Sequence, residues 1–215
     1  MSRHQIPWTA SGGRLQSLIA ERTQPGADKA AIDARIWDLF GETWAIMFTD
    51  LAGFSRRVEQ FGIVHFLQTI YESERLLLPI VDAHDGVLLK SEGDSMLIVF
   101  RRPRAALDCA LAMQRRLVDY NSDKPDEEDV LLCLGLGYGR VLKIGDADVF
   151  GAEVNAASKL GEDTAGAWEI LATEQFRDAV RDGLQEDGAP LDFERLEAAP
   201  PGANAAYRVH YPLEG

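Results

Sequence analysis

Between residues 43 and 144 the apolar residues alternate between strand-length runs and helical spacing, and that order restricts the fold more than any other feature of the chain. Trp44-Ala45-Ile46-Met47-Phe48 reads as a short strand ending at Thr49-Asp50, followed by a loop at Ala52-Gly53. Leu67, Ile70, Leu77, Leu78 and Val81 then recur every three or four residues, with Glu74 as the one mismatch. Asp85-Gly86 introduces Val87–Lys90, and Ser91-Glu92-Gly93 turns the chain into Asp94–Phe100, which is the pattern of a hairpin. Pro103 opens a second helix with an apolar face of Ala106, Leu107, Ala110, Leu111, Leu117 and Val118. After a polar, acidic loop over 121–129, Val130–Gly139 is strand-like, and Val141–Ile144 continues past a glycine.

The resulting β-α-β-β-α-β order predicts an α+β fold built on a ferredoxin-like sandwich. A C-terminal α/β extension follows. It comprises a helix over Gly151–Leu160, a strand over Trp168–Ala172, Thr173 as N-cap of a helix over Glu174–Val180, and a strand pair within Leu191–Tyr211 around Pro200-Pro201-Gly202. Residues 1–40 read as a helical appendage to a main domain over 41–215. Its segments Arg14–Arg22 and Lys29–Phe40 are separated by Gln24-Pro25-Gly26, and Ile32, Ile36, Leu39 and Phe40 form an apolar stripe that must pack on something. Gly135-Leu136-Gly137-Tyr138-Gly139 lacks the spacing and helix start of a dinucleotide fingerprint. It reads as a strand closely approached by another backbone.

With 46% hydrophobic and 27% charged residues the chain has the profile of a soluble globular protein, while a net charge of -13 disfavours nucleic acid and anionic membranes as partners. Cys109 and Cys133 sit in apolar stretches without metal or redox spacing and read as core thiols. No signal-like N-terminus is seen and no apolar run approaches the ~20 residues of a membrane span, so a cytoplasmic location is expected. His4, His65, His84 and His210 are scattered.

In a ferredoxin-like sheet the first and third strands are antiparallel neighbours. The end of the first, Asp50, therefore falls beside the start of the third, Asp94. Carboxylates so placed suit Mg²⁺ or Mn²⁺, and the adjoining Leu51-Ala52-Gly53-Phe54-Ser55 turn offers backbone N–H groups to phosphate oxygens.

These residues carry a resemblance. Phe48-Thr49-Asp50-Leu51-Ala52-Gly53-Phe54-Ser55, Gly86–Asp94 with its Lys-x-x-Gly-Asp ending, and Asp148–Leu160 resemble, in order and approximate spacing, the three motifs of class III adenylyl and guanylyl cyclase catalytic domains. The resemblance implies a head-to-tail homodimer with composite sites, two Mg²⁺ or Mn²⁺ ions, and ATP as substrate. It places metal at Asp50, Asp94 and the Leu51 carbonyl, and phosphate at Gly53, Phe54 and Ser55. Lys90 and Asp148 of the other protomer would read the adenine edge, with Asp146 as a rival for the acceptor role. Asn155 would orient the ribose, and Lys159 stands where the family has an arginine that stabilises the transition state. Lysine is a flexible point charge where arginine is a planar fork, so slow turnover is expected. Only Arg140–Ala147 separates Gly139 from Asp148, which implies a trimmed dimer contact, and Arg195 is the nearest basic candidate for a further triphosphate contact. Lys90 with Asp148 argues for ATP over GTP. A cyclase for GTP or a pyrimidine triphosphate, and a catalytically weak nucleotide-binding regulatory module, remain alternatives.

Overall fold

The computed structural model describes residues 10–182 and 192–212, without the side chains of 54–57 and 182. Its strands are β1 (Gly41–Leu51), β2 (Val87–Glu92), β3 (Ser95–Phe100), β4 (Leu132–Ile144), β5 (Asp148–Phe150), β6 (Ile170–Thr173), β7 (Asp192–Arg195) and β8 (Ala206–His210). The helices are α1 (Ala10–Arg22), α2 (Lys29–Phe40), α3 (Phe54–Phe61), α4 (Ile63–Ala83), α5 (Pro103–Asn121), α6 (Ala152–Ser158) and α7 (Glu174–Asp182). The sheet runs β2-β3-β1-β4-β6-β8-β7, with β5 folded back on β4. Its first four strands have the ferredoxin-like order, and β4–β6 is the one parallel pair among the described residues. None of the helices among the described residues is long and apolar enough to cross a membrane.

The central strand β1 is longer than its apolar pattern suggested. Its polar ends are held by pairing, from Gly41↔Leu142 to Leu51↔Leu132 along β4, so Asp50 lies one residue inside the end of the strand. The same pairing makes β4 one strand that continues through Gly139, as read from the sequence. Alternation along β1 sends Ala45, Met47 and Leu51 to one face, where they join the main core under α4, α5 and α7. Trp44, Ile46 and Phe48 go to the other face, with Leu97, Val99, Val149 and Ala157.

On that second face β4 is almost bare. Gly135, Gly137 and Gly139 alternate with Leu134, Leu136 and Tyr138, so the three positions without side chains share one side of the sheet. The α6 helix and the π-helical stretch Lys159–Thr164 lie directly on this track. A Cβ at Gly135 would stand 2.1 Å from the Ala157 carbonyl oxygen and 2.4 Å from the Gly161 nitrogen, and one at Gly137 would stand 2.7 Å from the Glu153 carbonyl oxygen. The close backbone approach expected of this strand is what the structure contains.

Two helix readings need correction. In α4 the buried face is Phe66, Thr69, Ser73, Leu76, Leu77 and Val81, while Leu67 is 57% exposed. Thr69 and Ser73 occupy buried positions because their hydroxyls bond the carbonyls of His65 and Ile70, which shifts the inward face away from the purely apolar pattern. Glu74 then points toward β2, where its carboxylate accepts the Ser91 hydroxyl. In α2, Ile32, Ile36 and Phe40 pack with Leu18 and Ile144, but Leu39 is exposed, one position off the stripe. The C-terminal extension matches its reading more closely. Thr173 accepts the Phe176 N–H at 3.2 Å and caps α7, and β7 pairs with β8, although Leu191 lies outside the described residues.

The glycine track makes a graded prediction. Gly135→Ala meets backbone and should destabilise the protein by about 3 kcal/mol or prevent folding, whereas Gly139→Ala meets the flexible Glu153 Cγ at 2.9 Å and should cost about 1 kcal/mol. Urea unfolding of the two variants measures the difference, and the reverse order would show that α6 does not rest on β4 as described.

Candidate active site

The β2–β3 connection is a two-residue hairpin loop, Gly93-Asp94, closed by the Glu92↔Ser95 pair. Gly93 has φ +63°, which glycine adopts without strain and which a tight hairpin requires at its first loop position. This places Asp94 at the hairpin tip beside the end of β1, where Thr49 pairs with Met96. The Ser95 hydroxyl donates to Asp50 Oδ1 at 3.1 Å, so Asp50, Asp94 and Ser95 meet at one point, as the strand pairing predicted for the two aspartates.

Their electrostatics are those of crowded anions. Burial pushes the Asp50 carboxyl up to about 6, and the Asp94 charge adds to the shift against the Ser95 hydrogen bond. Burial also raises Asp94, with the Glu162 charge acting in the same direction. Two half-buried carboxylates that resist ionising together form a site that a cation stabilises. Among the described residues no three His, Cys, Asp or Glu side chains gather into a cage of their own. Two carboxylates and a carbonyl still suit Mg²⁺, which keeps waters and completes its shell with substrate phosphates. Leu51 is buried at the end of β1, and its carbonyl is the third donor of the sequence reading.

After β1 the chain turns through Ala52 and Gly53 into α3. Gly53 sits at the N-cap in the left-handed region (φ +81°) with open space around it, so the first turn of α3 begins without a side chain over it. The side chains of Phe54 and Ser55 lie outside the described residues, while their backbone opens α3.

Beside the aspartates a cleft of about 230 Å³ is lined by Phe48, Lys90, Glu92, Ser95, Met96, Leu97, Asp148, Val149, Val154 and Glu162. Lys90 from β2 and Asp148 from β5 meet in it, Nζ to Oδ2 at 2.7 Å, with side chains 35% and 27% exposed. They are 58 residues apart in sequence and are brought together by the folding back of β5 on β4. Asp146, the rival acceptor, is 95% exposed in the β4–β5 turn and bonds Lys143 at 3.1 Å, which makes it a turn residue.

Asn155 and Lys159 are not part of the cleft lining. Both are exposed. Asn155 Nδ2 donates to the Pro201 carbonyl oxygen at 2.7 Å, and Lys159 pairs with Asp163 at 2.6 Å. The helix expected to run to Leu160 ends at Ser158, so Lys159 starts the π-helical stretch. Arg195 lies on β7, at the sheet edge opposite β2. Sequence reasoning missed Glu162, which sits in an exposed acidic pair with Asp163 and carries no local signal. It also missed Ser95, whose position directly after Asp94 was the available clue. Glu92, assigned nothing from sequence, lines the cleft. Cys109 and Cys133 are free and buried, and burial raises both thiols to about 12.

A family model described as adenylate and guanylate cyclase catalytic domain matches residues 41–188. The serine/threonine-protein kinase pkn2 of Myxococcus xanthus is 33% identical over 129 residues, which is 60% of this chain and 15% of that protein. Putative adenylate cyclase 3 of Rhizobium meliloti is 30% identical over 142 residues, 66% of this chain and 22% of that protein. The chain thus spans less than a quarter of the length of either relative. Among solved structures, an adenylate/guanylate cyclase/hydrolase from Silicibacter pomeroyi superimposes with a TM-score of 0.64 at 25% identity, covering 80% of this chain and 98% of that one.

The raised Asp50 pKa has a signed consequence. A carboxyl whose folded value of about 6 exceeds its reference value of 3.8 contributes stability below 3.8 and loses it as pH rises through about 6. Asp50→Asn should therefore stabilise the metal-free protein at neutral pH by on the order of 1–2 kcal/mol, discounted for partial exposure. Denaturant melts in chelator across this range measure it. A variant less stable than the parent at neutral pH would show that Asp50 is not under this repulsion.

Proposed function

This chain belongs to the class III adenylate and guanylate cyclase catalytic domain family, and on that premise we propose that it is an adenylate cyclase, converting ATP into 3′,5′-cyclic AMP and pyrophosphate. The observation that carries the reading is the Lys90–Asp148 pair, 2.7 Å apart in the cleft that both residues line. A lysine donor and an aspartate acceptor complement the ring-nitrogen acceptor and amino donor of adenine, and a guanine there would leave these half-buried groups mispaired.

Asp50, Asp94 and the Leu51 carbonyl are the residues that would hold two Mg²⁺ or Mn²⁺ ions. Bound there, such ions supply charge neutralisation to the triphosphate and lower the pKa of the ribose 3′-hydroxyl. The Gly53-Phe54-Ser55 turn presents backbone N–H groups of a helix start to phosphate oxygens. Lys90 and Asp148 must part to admit the base, exchanging their mutual bond for bonds to adenine. Asn155 orients the ribose and Lys159 sets its charge against the anionic transition state. In a head-to-tail homodimer these last four residues serve the aspartates of the partner, a reading favoured by the exposure of Asn155 and Lys159 away from the cleft of their own protomer.

The test is incubation with each of the four ribonucleoside triphosphates and Mn²⁺ or Mg²⁺, with products identified by mass. Cyclic AMP is expected. No cyclic product would overturn the enzyme reading and leave the regulatory module, and cyclic GMP or a cyclic pyrimidine nucleotide would overturn the adenine assignment. Asp50→Ala should abolish product. Lys159→Arg should preserve or raise the rate, because a guanidinium grips phosphate through two parallel bonds.

A further inference from the structure

Glu153 is the one carboxylate buried among the described residues, at 6% exposure, and the chemistry above does not use it. It lies in α6 between Gly151 and Asn155, with Val154 of the cleft lining as its neighbour. One atom of its carboxylate, Oε2, receives two donors: the Tyr138 N–H at 3.1 Å and the Thr173 hydroxyl at 2.6 Å. The pairing of β4 with β6 ends at Leu136↔Ala172, so Tyr138 lies beyond the last pair, on the stretch of β4 where no strand supplies a carbonyl on that side. Thr173 ends β6 and caps α7. A single oxygen on α6 is thereby tied to β4, to the end of β6 and to the start of α7.

The glycine track explains why this tie matters. With no side chains at 137 and 139, α6 has no ridges to lock into, and the Glu153 side chain fills the space there instead. Helices usually find their register by interdigitating side chains. Here hydrogen bonds to one carboxylate oxygen do it.

We propose that Glu153 is a positioning residue for this active site. By accepting the Tyr138 N–H and the Thr173 hydroxyl it sets the rotation and height of α6 on β4, and so the presentation of Val154, Asn155 and Lys159. The inference rests on the cyclase reading for its effect on turnover, and on geometry alone for its effect on α6. Because both bonds end on one oxygen, a neutral carbonyl in the same place does the same work. Burial already raises the Glu153 carboxyl, consistent with a site that does not need the charge.

Glu153→Gln should keep kcat within about threefold of the parent, and Glu153→Leu, similar in bulk but without an acceptor, should lower kcat about tenfold or more with KM for ATP within about threefold. Thr173→Val removes one donor to Glu153, together with the cap of α7, at little change in volume, and should lower kcat and speed Tyr138 exchange in the same direction, which serves if Glu153→Leu does not fold. Amide hydrogen exchange at Tyr138 in the full chain supplies a readout independent of activity, faster in Glu153→Leu and unchanged in Glu153→Gln. A folded Glu153→Leu with parental kcat, unchanged Tyr138 exchange, or a Glu153→Gln as impaired as the leucine variant would each overturn the proposal. If the parent forms no cyclic product while Tyr138 exchange still separates the variants, the cyclase reading fails and the role in placing α6 stands.

Discussion

The side-chain-free face of β4 is the constraint on which the second layer of this molecule depends. Leu134 and Leu136 face the main core, while Gly135, Gly137 and Gly139 face α6 and admit its backbone at van der Waals contact. A helix carried on larger side chains would stand farther from the sheet. The cleft bounded by Val154, Val149, Phe48 and Leu97 would then be wider, and Lys90 and Asp148 would no longer share it with Glu162. Backbone-on-backbone packing thus sets the width of the candidate nucleotide site.

The second governing interaction is repulsion. Asp50 and Asp94 come together because β1 and β3 are antiparallel neighbours and the two-residue loop leaves Asp94 nowhere else to go. Burial raises both carboxyls, the Asp94 charge raises Asp50 further, and Glu162 adds to the field from the π-helical stretch. In a protein of net charge -13, such a cluster is stabilising only when a cation joins it. The metal-free fold holds this electrostatic cost through the cooperative pairing of β1 along its whole length.

Most of what placed the site was legible in the sequence, because it depended on strand order and on alternation. The convergence of Asp50 with Asp94, the cap at Thr173, the core thiols and the glycine-track strand all follow from local patterns and one topological rule. What was not legible depended on competition between elements. Leu67 reads as a core residue by spacing, but α4 is rotated by Thr69 and Ser73, whose hydroxyls are satisfied within the helix and can therefore be buried. Leu39 is displaced from its stripe because Ile32, Ile36 and Phe40 already fill the contact with Leu18 and Ile144. The π-helical turn after Ser158 and the approach of Glu162 to the aspartates have no sequence period to announce them. Glu153 is the sharpest case, since a glutamate beside Asn155 reads as a solvated helix residue until β4 is known to run beneath it.

The separation of groups within one protomer carries the last step. Asp50, Asp94, Lys90 and Asp148 line or adjoin one cleft, whereas Asn155 and Lys159 point to solvent, engaged by Pro201 and Asp163. An exposed lysine paired with an aspartate four residues on contributes little to the stability of the single chain. The Asn155 amide donates through its nitrogen to the Pro201 carbonyl oxygen. Groups so placed are open to something that approaches from outside the protomer. Under the proposed reading, a second copy bringing its own Asp50 and Asp94 to this surface would give each of these residues a task.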